Sequence, residues 1–81
     1  MKRDFLDLMQ EILGYFSNVT NIYETSTIID HISIKTHEKR ERITYFFELL
    51  EKNQYISVEG DIVGPTQSGI NYLKELQERN Q

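Results

Sequence analysis

Apolar positions recur along the chain at helical spacing in most stretches and at two-residue spacing in one. In residues 2–17, Phe5, Leu8, Met9, Ile12 and Phe16 fall three and four apart, which places them on one face of a helix. Asp4 and Asp7 lie in its first turns, where the helix dipole favours negative charge. "SNVTN", 17–21, is a cluster of turn formers. In 25–34, "TSTIIDHISI", Ile28, Ile29 and Ile32 make the stripe of a short second helix with Thr25 or Ser26 as N-cap. Its many β-branched residues leave a strand as the alternative. The strongest helical pattern is 36–52, "THEKRERITYFFELLEK", with Thr36 as N-cap and Ile43, Phe46, Phe47 and Leu50 as core face.

The period then changes. Ile56 and Val58 alternate with Tyr55 and Ser57, "EGD" supplies a tight turn at Gly60, and "IV" begins a return strand that "GP" ends. This is a short hairpin, 55–64. "TQSGINYLKELQERN", 66–80, is a last helix capped by Thr66 or Ser68, with Ile70, Leu73 and Leu76 on its apolar side. The predicted order is helix, helix, helix, hairpin, helix, so the fold class is mainly α with a small β-hairpin. No repeat, low-complexity tract or linker divides 1–81, which reads as a single domain.

That order resembles a winged helix-turn-helix domain over nearly the whole chain. "FFELLEKNQYI" is similar to the segment in which such a recognition helix runs into the first wing strand. "PTQSGINYL" resembles the segment after the wing, commonly Leu-Thr-x-x-Gly-x-x-x-Leu; Thr66 and Gly69 match and Pro65 stands in place of the Leu. The resemblance implies that 25–34 is the first helix of the helix-turn-helix, 36–52 the recognition helix and the hairpin a wing. "MKRDFLDLMQEIL" is also similar to the opening of a family of small bacterial and prophage proteins that begin Met-Lys-Arg-Asp. Their middle helix carries a pattern like Ile43, Phe46 and Leu49-Leu50. No function is established for that family, so this likeness implies fold and mobile-element origin, not an activity.

Composition narrows the classes. Eighty-one residues sit near the lower size at which one core folds without staples. With no cysteine, disulfides and thiolate metal sites are excluded, and five Tyr and four Phe join Ile and Leu in the core. No apolar run is long enough to cross a bilayer, and Asp4, Asp7 and Glu11 interrupt any signal-peptide apolar region. A cytoplasmic protein is expected.

The net charge is −4, whereas a nucleic-acid binder carries a basic balance or a basic stripe. Only a stripe is available, "KTHEKRER" at 35–42, with four of the nine basic residues. As a DNA-binding element, Lys35, Lys39, Arg40 and Arg42 would hold phosphates. Thr36 and the amides after it would hold another, and His37 and Tyr45 would approach the groove. Phasing 36–52 at about 100° per residue puts His37, Glu38, Glu41, Tyr45 and Glu48 outward. Lys39 and Arg40 fall on the core side and must snorkel, and Arg42 takes a flank. The wing tip, Glu59-Gly60-Asp61, is acidic. The competing reading is a solvated face of mixed charge, with Glu38 and Arg42 paired at i,i+4.

His31 and His37 are the only histidines and lack metal-ligand spacing. Ser68-Gly69 suits a helix cap better than a nucleophile, and no Gly-rich phosphate loop is present. An enzyme, a cofactor and a metal are not expected. For protein contacts, Leu6, Leu13 and Tyr15 flank the first stripe, which fits an isologous homodimer through the first and last helices. Tyr23, Tyr45 and Tyr72 are large side chains with polar tips suited to an interface. The leading expectation is a small DNA-binding regulatory protein that grips backbone at the start of the recognition helix. The alternative is a protein-interaction module, for dimerisation or inhibition, on the same fold without DNA binding.

Overall fold

The computed structural model describes residues 4–79. The opening Met-Lys-Arg, the predicted helix start at 2–3 and the predicted helix end at 80 lie outside the described residues. The elements are α1 (Phe5–Gly14), β1 (Tyr23–Glu24), α2 (Thr25–Thr36), α3 (Arg40–Lys52), β2 (Ile56–Glu59), β3 (Ile62–Pro65) and α4 (Gln67–Arg79). The chain is mainly helical with a three-stranded antiparallel sheet of order β1-β3-β2, an arrangement compatible with a winged helix.

Asp4 caps α1 by accepting the Asp7 N–H at 2.8 Å. The helix stops at Gly14, earlier than its apolar pattern suggests. Tyr15 and Phe16 donate to Ile12 and Leu13 carbonyls three residues back, tight turns that carry Phe16 into the core. Leu8, Met9 and Ile12 are buried as their spacing predicts. Phe5 is not: it is 47% exposed, with its ring 5.0 Å from that of Phe46. Leu13, read as a flank, is buried in the core cluster. It is therefore unavailable for the predicted dimer contact, whereas Leu6 remains exposed.

Asn18, Thr20 and Asn21 build the turn through side chain to backbone bonds, such as Asn18 N–H to Asn21 Oδ1 at 2.9 Å. The turn delivers β1, a strand that no alternation announced because it is two residues long. Tyr23 pairs with Val63 and Glu24 with Ile62. The next residue, Thr25, donates both its N–H (2.6 Å) and its hydroxyl (3.0 Å) to the Asp61 carbonyl. The start of α2 is thus tied to the hairpin turn instead of being capped by Thr25 or Ser26. Glu24 occupies the cap position, and its Oε1 accepts the Ser26 and Thr27 hydroxyls.

The 25–34 segment is a helix and not a strand. Ile28, Ile29 and Ile32 all reach the core, which a two-residue alternation would forbid for the first two. It also runs on to Thr36. Thr36 is therefore not the N-cap of the following helix. It closes α2, 2% exposed, with its hydroxyl donating to the Ile32 carbonyl at 2.7 Å. His37 turns left-handed (φ 58°) and ends the helix. His37-Glu38-Lys39 make a three-residue connection, the length found in helix-turn-helix pairs. The Ser33 hydroxyl donates to the Glu38 carbonyl at 2.6 Å and braces it.

At the end of α3, Tyr55 N–H reaches the Leu50 carbonyl and Gln54 N–H that of Glu51, a Schellman closure with Gln54 left-handed at φ 63°. Glycine suits that position better. Gln54→Gly is expected to raise the unfolding free energy by about 0.5–1 kcal/mol, read as a higher urea midpoint.

Gly60, at φ 58°, takes the first central position of the two-residue hairpin loop, where a type II′ turn needs glycine. The pairs Ile56↔Pro65, Ser57↔Gly64, Val58↔Val63 and Glu59↔Ile62 put Ile56 and Val63 inward. β3 extends through Pro65, one residue beyond the predicted hairpin. Thr66 then caps α4: its hydroxyl accepts the Gly69 N–H at 3.0 Å and donates to the Gln54 carbonyl. Ile70, Leu73 and Leu76 are buried, and Tyr72 stacks on Tyr55 at 4.5 Å between ring centroids. Among the described residues, no helix is long and apolar enough to cross a membrane.

Candidate recognition surface

Burial of Ile43, Phe46, Phe47 and Leu50 turns Glu41, Tyr45 and Glu48 of α3 outward, as its phase predicts. Tyr45 is 55% exposed and lies edge-on to Phe46, 6.1 Å between centroids. With Phe5 on the same ring, this makes an aromatic ridge beside Glu41 and Glu48.

The predicted cations are arranged differently from the expectation. Lys35 is in the last turn of α2, its ammonium 5.9 Å from the Tyr15 ring centre. Lys39 is exposed at the cap position of α3. Arg40 does not snorkel past the core; it reaches back to α2, bonding Asp30 and, at 3.4 Å, the Ser26 carbonyl. Arg42 bonds Glu38 at 3.1 Å, with its guanidinium over the Phe46 ring. Glu38 is consequently half-buried in the connection and not on the outward face of α3. His37 is exposed in the turn, off the helix.

Of the seven residues read as a DNA site, the structure gathers Arg42 and Tyr45 around Phe46. Lys35, Thr36 and His37 belong to the end of α2 and its turn. The amides expected to follow Thr36 as a phosphate cradle are not at a helix start, since α3 begins only after Lys39. Two of the four cations are partnered by carboxylates, and Glu41 and Glu48 stand exposed where phosphates would approach. Glu59 and Asp61 keep the hairpin tip acidic.

A second surface was not legible beforehand. Val19 (61% exposed), Ile22 (60%) and Ile62 (50%) meet over the outer face of the sheet. They line a cleft of about 230 Å³ together with Ser57, Glu59, Gly64 and Pro65. The one signal was the alternation of Ile62 with Val63, which places them on opposite faces; Val19 read only as part of the 17–21 turn, and Ile22 fell between predicted elements.

A second hollow of about 350 Å³ lies among Tyr15, Tyr23, Glu24, Thr27, Ile28 and His31. Tyr23 donates from its hydroxyl to the Tyr15 carbonyl at 3.0 Å, and Tyr15 meets His31 edge-on. Comparison with protein-family models, with curated proteins and with solved structures finds no match to this chain.

Proposed function

We propose that the chain is a winged-helix module that acts by binding protein, without a catalytic step and without gripping duplex DNA. In this reading α2 and α3 form the helix-turn-helix and β2–β3 the wing. The observation that carries it is the exposed side of α3, where Tyr45 stands between Glu41 and Glu48 while Arg40 and Arg42 are bound to Asp30 and Glu38.

Duplex DNA carries one charge per about 1.7 Å of axis. It would meet unpaired carboxylates on α3 and again at Glu59 and Asp61. Arg40 is paired with Asp30 and Arg42 with Glu38, so a carboxylate already offsets each guanidinium where a phosphate would need it. An exposed tyrosine rimmed by carboxylates suits a protein partner with a basic rim and a pocket for an aromatic anchor.

A second reading, backbone contact with DNA, is favoured by one feature: Lys35, His37 and Lys39 cluster in sequence around the exposed connection between α2 and α3. Titration of a labelled random duplex at low and at moderate salt separates the two. The expected result is no saturable binding up to about 100 µM protein at moderate salt, the weak end of non-specific affinity. Salt-sensitive binding that disappears when Lys35 and Lys39 are changed to Glu would establish the second reading instead.

A further inference from the structure

We propose that the outer face of the sheet docks a cationic amphipathic helix of another protein. This extends the protein-binding reading to a surface separate from α3. Directly opposed residues in antiparallel strands share a face. Ile62 is opposed by Glu24 in β1 and by Glu59 in β2, so the three form one transverse row, carboxylate, isoleucine, carboxylate. Val63 next along β3 is buried, which fixes this row on the outside.

One step further, Gly64 leaves the floor of the cleft without a side chain, and Ile22 lies 3.4 Å from where its Cβ would stand. Val19, Ile22 and Ile62 are branched aliphatics with few rotamers, so ordering them against a partner costs little entropy. Glu59 lines the cleft itself, while Glu24, at the end of the row, is held through Oε1 by the Ser26 and Thr27 hydroxyls on the rim shared with the neighbouring hollow.

The charges choose the occupant. A second copy in isologous contact would bring the same row against itself, on a chain of net charge −4. Nucleic acid and anionic lipid are repelled by the same carboxylates. Strands spaced about 4.8 Å apart put the Cα atoms of Glu24 and Glu59 about 10 Å from each other across the row. On a helix rising about 1.5 Å per residue, side chains at i and i+7 are about 10.5 Å apart on one face, with i+3 and i+4 between them. Lysine or arginine at i and i+7, with aliphatic residues at i+3 and i+4, therefore matches the carboxylates and the cleft together.

The probe is a synthetic alanine-based helical peptide with Lys at i and i+7 and Leu at i+3 and i+4. One control carries Glu for both Lys and another Ser for both Leu. Added to the ¹⁵N-labelled chain, it is expected to move the amide signals of Ile22, Ser57, Glu59, Ile62 and Gly64 saturably. Each control, and each of the exposed-site variants Ile62→Ser and Glu59→Gln, should bind about tenfold more weakly. Four outcomes overturn the proposal: no saturable shift with the probe; equal binding of the Glu control; shifts confined to Glu41, Tyr45 and Glu48, which would leave the α3 reading standing; or self-association of the free chain that Ile62→Ser abolishes. The duplex titration decides the α3 reading independently.

Discussion

Gly69→Ala is expected to destabilise the fold by at least about 2 kcal/mol. On propensity alone the change should help, since alanine in a helix interior is favoured over glycine by about 1 kcal/mol. Packing opposes it. A Cβ on Gly69 would stand 2.8 Å from the Tyr55 carbonyl carbon and closer still to its oxygen. Those are backbone atoms and cannot rotate away. Tyr55 is held besides by its N–H on the Leu50 carbonyl and by its own carbonyl accepting Thr66 N–H. Relief requires α4 to move off, which pulls Ile70, Leu73 and Leu76 from the core and Tyr72 from its stack on Tyr55.

Overpacking of this kind costs about 1–3 kcal/mol and sometimes more, against a total of about 0.1 kcal/mol per residue for a domain this small. The net loss should be at least about 2 kcal/mol in urea unfolding. Gly14→Ala is the control, because nothing lies within 4 Å of that position. It should be neutral or stabilising, and a Gly69→Ala protein as stable as Gly14→Ala would refute the close approach of α4 to Tyr55.

Phe16→Ala should cost about 3–5 kcal/mol. The ring is buried where three elements meet, edge-on to Tyr23 of β1 at 5.5 Å and to Phe47 of α3 at 5.9 Å. Its loss opens a cavity that those aromatics cannot fill without giving up the Tyr23 hydroxyl bond to the Tyr15 carbonyl. Phe5→Ala, on a half-exposed ring, should cost under about 1 kcal/mol. If denaturant midpoints rank the two variants the other way, the packing at the end of α1 is misassigned.

Much of the architecture was written in periodicity. Ile43, Phe46, Phe47 and Leu50 could face one way only on a helix, and Ile56 and Val58 could share a face only on a strand. Of the two cap candidates of α4, Thr66 and Ser68, Thr66 takes the role, while the close approach of Gly69 to Tyr55 depends on a partner that periodicity does not show. What periodicity missed was decided by partners distant in sequence. β1 exists because Val63 and Ile62 lie alongside it, and Thr25 ends up on Asp61 instead of capping its own helix. Thr36 looked like a helix start because threonine caps helices, but its hydroxyl serves equally well bonded back to the Ile32 carbonyl inside one. The charge of "KTHEKRER" was plain from the letters; that Asp30 partners Arg40, from ten positions upstream, was not.

The bond from Thr25 to Asp61 couples the first turn of α2 to the β2–β3 hairpin, two regions far apart in sequence. β3 is flanked by β1 on one side and β2 on the other, so the hairpin cannot swing as a free flap. To tilt it, a ligand must strip two donors from the Asp61 carbonyl and fray the first turn of α2. A load on the sheet is therefore felt at the helix that precedes the His37 turn. Any coupling between a change at that helix and one at the hairpin is reciprocal.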